Sequence, residues 1–331
     1  MAGRWRTILI AIGVAVAAIA AGSAAVLLAG HPAPARPRPQ HRPSAGPAPL
    51  RSPFTGEPVP SLRPVIAVKI DNYVLARPQT GLAKADIVYV LPVEGGLSRF
   101  LAVFSSHLPP VIGPVRSARQ DDIALLRQFG RPAFAFSGAQ PELLPVVEHS
   151  RIVNLYDGVA GGYYRSPARF APYNLYAHTR VLAAEARGAS TARDIGFRFG
   201  PAPAGGRPTA AFSVSYPAAS LQFRWSARRA RWLVWMDGSP ALTTDNGQLH
   251  PATVVIQYTT VRTSRFLEQG VRPPYAQSTG SGRAVVLRDG LAYQVHWSRP
   301  DADAGTTFTL PGGRRMSFAP GQIWVVLRGR R

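Results

Sequence analysis

The sequence predicts an α+β fold, with an α/β layered domain over residues 65–200 followed by a mainly antiparallel all-β domain over residues 208–328. Strand-like and helix-like segments alternate in the first of these, which indicates packed layers of sheet and helix. Short strand-like runs separated by turn dipeptides fill the second, a pattern typical of antiparallel hairpins. One apolar helix (1–30) and a proline-rich stalk (31–64) precede both domains. We place the domain boundary in the Gly/Pro-rich run between Gly200 and Pro208.

The first 30 residues carry a membrane-targeting pattern. Arg4 and Arg6 precede residues 8–30, a run without charge. At about 1.5 Å per residue this run spans the roughly 30 Å of a bilayer core, and the basic flank favours export of the rest of the chain. Small residues such as Ala20 and Ser23 leave a cleaved secretory signal open as the alternative. We therefore predict an extracytoplasmic protein, held in the cell membrane by a single pass or secreted if the signal is cleaved.

The segment from 31 to 64 is predicted to be an extended stalk. Eleven of its 34 residues are proline, which favours polyproline II and disfavours regular secondary structure. Such a spacer advances roughly 3.1 Å per residue and would hold a folded body on the order of 100 Å from the bilayer.

Local signals place the elements of the first domain. The clearest helix is expected to begin at Ser117, with Gln120 completing a capping box and Asp121 and Asp122 in the first turn. Gly130 ends it. A short helix is expected near Pro141 and a third over 179–187. Four β-branched or aromatic runs predict strands, at 65–70, 87–91, 99–104 and 132–136.

The second domain is predicted to be a small barrel or sandwich. Dipeptides such as Asp237-Gly238 and Asp289-Gly290 indicate tight turns, and Gly280-Ser281-Gly282 is expected to form another. Eight runs are predicted as strands, at 209–215, 221–225, 230–236, 253–261, 284–288, 291–297, 306–310 and 323–327.

Composition restricts the chemistry. The chain has 331 residues, 38 Lys+Arg against 17 Asp+Glu, a formal charge of +21, and no cysteine. Disulfides, thiolate nucleophiles and cysteine-ligated metals are therefore excluded. No metal-ligand, nucleotide-binding or nucleophile-elbow motif is present, so we predict no metal and no cofactor.

The positive charge points to an anionic partner in the envelope. Export argues against nucleic acid, although arginines alternate with tryptophans between Arg224 and Trp235. Anionic wall polymers, peptidoglycan carboxylates and lipid phosphates are nearer partners for a basic surface. The same alternation fits a strand with one solvated face, and the terminal Arg328, Arg330 and Arg331 are expected to form a solvated tail.

Arginines around the predicted helix start form the candidate binding site. Arg116 and Arg119 flank Ser117, where guanidinium groups could bind a carboxylate or phosphate, together with Arg99. The alternative is internal pairing with Glu94 or with nearby aspartates (Asp86, Asp121, Asp122). Gln79, Asn174 and Tyr176 are further candidates for hydrogen bonds to the ligand, while Asn174 could instead satisfy backbone groups in its own turn.

Glu94 is the candidate catalytic acid. It ends a strand and precedes Gly95-Gly96, so a sugar could approach closely. With a raised pKa it could protonate a glycosidic oxygen, but glycosidases usually need a second carboxylate. The nearby candidates are Asp71, Asp86 and Asp121. A structural bridge from Glu94 to Arg99 or Arg116 is the alternative.

A set of ordered motifs carries a family resemblance. They are Arg77-Pro78-Gln79-Thr80-Gly81-Leu82, Ala85-Asp86-Ile87-Val88-Tyr89, Glu94-Gly95-Gly96-Leu97-Ser98-Arg99-Phe100, Gly113-Pro114-Val115-Arg116-Ser117-Ala118-Arg119, Ala171-Pro172-Tyr173-Asn174-Leu175-Tyr176 and Gly280-Ser281-Gly282. Across residues 63–327 the chain resembles the YerB lipoprotein family of Gram-positive bacteria. The resemblance implies an exported, membrane-tethered envelope protein whose activity is unknown.

Three positions depart from that family's pattern. His31 stands where these lipoproteins carry the lipid-acceptor cysteine, so any membrane tether here would be the helix itself. Tyr173 stands where the family often has histidine. Leu91 and Pro92 stand where acidic residues often precede the Glu-Gly-Gly motif.

The sequence supports three hypotheses. The first is a non-catalytic module that binds an anionic cell-wall component through an arginine-lined groove between its two halves. The second is a peptidoglycan hydrolase or lyase that uses Glu94. The third is a non-enzymatic partner of a division or wall-synthesis complex.

Overall fold

The structure, a computed structural model, describes residues 49–268 and 270–330. These residues belong to one compact unit. The predicted membrane helix and the part of the stalk up to residue 48 lie outside the described residues. Within 49–268 and 270–330, no helix is long and apolar enough to cross a membrane.

Strands dominate the secondary structure. The strands of the first half are β1 (Ile66–Asp71), β2 (Ile87–Pro92), β3 (Ser98–Phe104), β4 (Val111–Ile112), β5 (Ala133–Phe136), β6 (Val153–Tyr156), β7 (Tyr163–Arg165) and β8 (Leu175–His178). The helices are α1 (Gln120–Leu126), α2 (Leu144–Glu148) and α3 (Thr179–Glu185).

The second half contains only strands among its regular elements in the described residues. They are β9 (Arg207–Pro208), β10 (Ala211–Tyr216), β11 (Ala219–Ser226), β12 (Arg231–Met236), β13 (Ser239–Pro240), β14 (Leu242–Thr243), β15 (Gly247–Gln248), β16 (Thr253–Thr259), β17 (Val261–Thr263), β18 (Pro274–Ala276), β19 (Gly280–Arg288), β20 (Leu291–Arg299), β21 (Thr307–Thr309) and β22 (Ile323–Gly329).

A mixed sheet forms the centre of the molecule. Its order is β21-β20-β19-β16-β22-β2-β3-β1-β5-β6, with β9 attached to β20. The last strand, β22, lies between β16 and β2 and runs parallel to both. Strands from both halves of the sequence therefore share one sheet, and β1, β2, β5, β16 and β22 end at the same edge.

Both faces of this sheet are covered, which explains why its strands are apolar on both sides. On β1, Ile66, Val68 and Ile70 enter one core, while Ala67 enters the other. The antiparallel sheet β10–β13 covers the first face, with Phe223 6.0 Å from Trp324 of β22. Helix α1 packs on the second face through Leu125 and Leu126.

The α+β class predicted from the sequence is confirmed, with one correction. The separate barrel or sandwich is wrong, because five of the expected strands of the second half extend the central sheet. The two-residue turns are confirmed: Asp237 and Gly238 both have positive φ, as do Asp289 and Gly290. Gly280-Ser281-Gly282 begins β19 and is not a turn.

The predicted N-cap of the main helix, Ser117, is two residues early. Arg119 is the N-cap, and its N–H donates to the Asp122 carboxylate at 2.7 Å. Gln120 is unavailable for a capping box, since its side-chain oxygen accepts hydrogen bonds from Ser264 and from the N–H of Arg265. Gly130 ends the helical segment, as expected, after a short 3-10 turn over Arg127–Phe129.

The predicted end of the stalk is also wrong, because part of it packs on the folded body. Phe54 is fully buried, with its ring 5.4 Å from that of Phe129. The carbonyl of Thr55 accepts from the N–H of Gly321. A single large apolar residue thus joins this proline-rich segment to the second core.

A buried ion pair ties α1 to the sheet. Lys69 of β1 donates to Asp122 at 2.7 Å, and neither side chain is exposed. The carboxylate also accepts the N–H of Arg119, so it orients the start of the helix. Removing one partner of such a pair leaves the other charge buried in the core without a counter-ion.

Replacing Lys69 by Met is expected to lower the free energy of unfolding by about 3–5 kcal/mol, because Asp122 loses its buried counter-ion. Chemical denaturation measures the loss. Lys84 is the only other lysine and is exposed, so Lys84→Met is the matched control and should change stability by less than about 0.5 kcal/mol. The double variant Lys69→Met/Asp122→Leu should recover most of the loss. Equal stability of the two single variants would contradict this role.

Candidate functional site

Charged side chains cluster where β1 and β2 end and β3 begins. Asp71 is the last residue of β1 and pairs in register with Arg99 on β3, while Glu94 lies in the turn between β2 and β3. The segment 113–118 crosses this edge: the N–H of Asp71 donates to Pro114, and the N–H of Arg116 donates to Lys69. The structure therefore brings together Glu94, Arg99, Arg116 and Arg119, as the sequence predicted.

Glu94 is held by two arginines. Its carboxylate accepts from Arg99 at 2.9 Å, and from Arg119 through both Nε, at 2.9 Å, and Nη2. Although burial alone would raise the pKa of Glu94, the Arg119 hydrogen bond and the charges of both arginines lower it to about 2. Glu94 is thus ionised at neutral pH. A general acid must carry a proton at its working pH, so this environment opposes the catalytic role considered for Glu94.

The remaining arginine charge is also balanced. Arg116 pairs with Asp71 at 2.9 Å and lies over the ring of Tyr173, and Arg119 has a second contact with Glu268 at 3.2 Å. Three carboxylates therefore face three guanidinium groups. Burial, and then the charge of Arg119, lower the pKa of Arg99 to about 10, so it remains charged at neutral pH. This balance favours an internal ion network, the alternative considered from the sequence, over a vacant anion site.

Gln79, Asn174 and Tyr176 make hydrogen bonds or packing contacts within the protein. Gln79 is buried and donates to the carbonyl of Asp71 and to Asn72. Asn174 donates to the carbonyls of Ser166 and Arg169, as expected for a turn-stabilising amide. Tyr176 is largely buried, with its ring stacked 5.9 Å from that of Tyr164. A ligand-binding role for these three residues stays a prediction.

A different arginine cluster lines an open cavity of about 660 Å³ on the second half. It lies between the outer edge of β10 and the central sheet. We call this cavity the basic trough. Its walls are formed by Phe212, Ser213, Val214, Ser215, Ile256, Tyr258, Gly282, Arg283, Arg328 and Arg330.

The charge of the basic trough is not balanced. Arg283 and Arg330 are exposed and Arg328 is partly exposed, and no lining residue is acidic. Arg330 donates to the carbonyl of Ser281, while Arg328 lies 6.0 Å from the ring centre of Tyr216. Within the part of the chain that the structure describes, none of these three arginines has a carboxylate partner.

A second cavity continues the trough past Phe212, which lines both. This cavity has a volume of about 500 Å³ and contains the exposed Arg207 and Arg314, again with no acidic lining residue. Tyr293 and Val285 also line it. The two cavities, which share Phe212, are lined by five arginines in total.

Sequence reasoning missed this site. Arg328 and Arg330 were expected in a solvated tail, but Arg328 lies on β22 inside the sheet and Arg330 follows directly after that strand. Arg224, in the tryptophan-rich region, is exposed and lies 4.4 Å from the ring centre of Trp235, which agrees with a solvated strand face. The arginine-lined groove expected between the two halves stays a prediction; the Arg119–Glu268 ion pair links the balanced cluster to the second half of the chain. Among the described residues no cluster of His, Cys, Asp or Glu could hold a metal.

Replacing Glu94 by Gln should cost about 2–3 kcal/mol of stability at pH 7, because Arg99 and Arg119 lose their shared carboxylate. A carboxyl whose pKa falls from 4.5 to about 2 on folding contributes its stability above pH 4.5 and loses it as the pH falls toward 2. Denaturation at pH 7 and pH 3.5 should therefore show a smaller cost at the lower pH. The exposed Glu142→Gln is the control. A cost that does not change with pH would rule out this account.

Comparisons with known proteins agree with this fold. Residues 54–192 match "Protein of unknown function (DUF3048) N-terminal domain" and residues 212–325 match "Protein of unknown function (DUF3048) C-terminal domain". The chain is 26% identical over 290 residues to "Putative lipoprotein YerB" of Bacillus subtilis (strain 168), covering 83% of this chain and 85% of that protein. The crystal structure of the Bacillus subtilis YerB protein has a TM-score of 0.72 at 22% identity, covering 84% of this chain and 96% of that one. The resemblance seen in the sequence is confirmed: the chain belongs to the DUF3048 family, a YerB-like two-domain family of unknown function.

Proposed function

We propose that this protein is a membrane-tethered extracytoplasmic envelope protein that binds an anionic cell-wall component, peptidoglycan or another anionic wall polymer, in the basic trough. The observation that carries the proposal is the contrast between two arginine clusters. Arg99, Arg116 and Arg119 face three carboxylates, whereas Arg283, Arg328 and Arg330 line the trough and form no ion pair with a carboxylate of the described residues. Guanidinium groups free of internal partners can form paired hydrogen bonds with carboxylate or phosphate groups of a ligand.

The shape of the site suits a polymer. The trough and the cavity beyond Phe212 share one lining residue and have volumes of about 660 and 500 Å³. Aromatic and aliphatic side chains such as Tyr258 and Val285 line the space between the arginines. A chain of linked units with repeated negative charges could contact arginines of both cavities.

The family relation supports the location. The relative in Bacillus subtilis is named as a lipoprotein, and residues 8–30 of this chain form an uncharged run long enough for a membrane anchor. Net charge of +21 would draw the protein toward anionic polymers near the membrane.

The hydrolase hypothesis is less well supported than binding. Glu94 has its pKa lowered to about 2, which leaves no proton for a leaving group at neutral pH. The hypothesis of a non-enzymatic partner in a wall-synthesis complex stays a prediction.

Replacing Arg283, Arg328 and Arg330 together by Ala is expected to weaken binding to purified cell-wall sacculi about tenfold or more, because the trough loses its charge-assisted donors. Co-sedimentation of the full-length protein in detergent, at physiological salt, measures the bound fraction. The control removes three exposed arginines outside both cavities, Arg187, Arg228 and Arg229, and changes net charge equally.

The control variant should bind like the unaltered protein. If both triple variants lose binding equally, the attraction comes from overall charge and the trough has no special role. If neither loses binding, or if no form of the protein sediments with sacculi, the proposed function is wrong.

A further inference from the structure

The outer edge of β10 runs along the basic trough with unpaired main-chain groups. β10 is the terminal strand of its sheet and pairs only with β11. Four consecutive residues of β10, from Phe212 to Ser215, line the cavity. An edge strand exposes every second N–H and C=O, and can therefore pair with another extended chain.

The hairpin fixes which groups are free. Tyr216 faces Ala219 across the two-residue turn Pro217-Ala218, and the pair that closes such a hairpin exchanges main-chain hydrogen bonds. Bonding then alternates along β10, so that Val214 and Phe212 point their N–H and C=O toward β11. The N–H of Trp225 donates to the carbonyl of Ala210, which agrees with this alternation because Ala210 lies two residues before Phe212.

Ser213 and Ser215 therefore point their main-chain N–H and C=O away from β11, toward the trough. Neither makes a main-chain bond to any other segment among the described residues. Both are exposed. The same cavity that holds the unpaired arginines thus also holds two free amide donors and two free carbonyl acceptors, spaced two residues apart.

We infer that the trough binds the peptide portion of peptidoglycan, a short extended peptide whose amides pair with Ser213 and Ser215 and whose carboxylates meet Arg283 and Arg328. This inference rests on the proposed function and narrows it to one wall component. Purely phosphate-linked or glycan polymers have no ladder of amides to satisfy the β10 edge. The two free residues that line the trough, Ser213 and Ser215, match the length of a short peptide.

A proline at position 215 tests the pairing directly. Ser215→Pro removes one N–H, and proline is tolerated in an edge strand where that N–H faces outward. The Ser215 hydroxyl has no hydrogen-bond partner within the described part of the chain, so Ser215→Ala is a matched control that keeps the N–H. Circular dichroism and thermal melting verify that both variants fold.

The probes are muropeptides released from purified peptidoglycan, and glycan strands from which an amidase has removed the peptides. Full-length protein in detergent should bind muropeptides. The Ser215→Pro variant should bind them about five- to tenfold more weakly. The Ser215→Ala variant should bind them with the affinity of the unaltered protein. Bound muropeptides should also slow hydrogen exchange at the amides of Ser213 and Ser215. Peptide-free glycan should do neither.

The outcomes separate this inference from the proposed function. If glycan strands without peptide bind as well as muropeptides and leave exchange at Ser213 and Ser215 unchanged, the wall is still the ligand but the peptide inference is overturned. If an acidic pentapeptide of L-amino acids binds and muropeptides do not, the edge takes a protein tail and the inference is again overturned. Equal binding by Ser215→Pro and Ser215→Ala would also overturn it. Loss of all wall binding would contradict the proposed function itself.

Discussion

The structure depends on the insertion of the last strand into the middle of the central sheet. β22 pairs with β16 on one side and with β2 on the other, so the sheet cannot be completed until nearly the whole chain is present. Its residues Trp324 and Val326 enter one core, while Ile323, Val325 and Leu327 enter the other. Without β22 the strands of the two halves would have unpaired edges and two open apolar faces. The two segments that match the family, residues 54–192 and 212–325, therefore stabilise each other through the pairing of β22 with β2.

That arrangement also decides where charge is balanced. The cluster around Glu94 lies on the face covered by α1, where Arg99 and Arg119 are nearly buried. A buried guanidinium needs acceptors for its hydrogen bonds, since leaving it unpaired costs several kcal/mol. Carboxylates supply them around Arg99 and Arg119, and main-chain carbonyls together with Ser278 supply them around the buried Arg299. The basic trough lies on the opposite face, beside the β10–β13 sheet, and is open to water. There Arg283 and Arg330 remain solvated and need no internal partner. The difference between the two clusters follows from burial, and it makes one a structural network and the other a surface available to a ligand.

Much of the local structure was predictable because it depends on neighbouring residues. β1, β2, β3 and β5 follow from short β-branched or aromatic runs, and the Asp289-Gly290 turn follows from two residues that accept positive φ. The failures concern contacts between distant residues. Gln120 looked like the end of a capping box, but its side chain bonds to Ser264, 144 positions away.

The same limit applies to the candidate site. Proximity of Glu94, Arg99 and Arg119 was predictable from a strand end, a strand start and a helix start that share one sheet edge. Their neutralisation was only partly predictable, because Glu268 comes from the other half of the chain. Arg328 and Arg330 looked like a tail because no local pattern reveals that β22 is a central strand.

The open edge of β10 is the feature of this fold that is hardest to explain without a ligand. Natural sheets protect free edges with charges, bulges, proline or a covering segment. The other outer strand of that sheet, β13, consists of two residues and includes Pro240, which limits its ability to pair. β10 has six residues and no proline, and it faces a cavity instead of a covering segment. Arginines across the trough would repel a second copy of this basic chain, whereas they would attract an acidic peptide. An edge that repels second copies of the chain by charge but admits a short acidic peptide would meet the needs of the peptide binding proposed above.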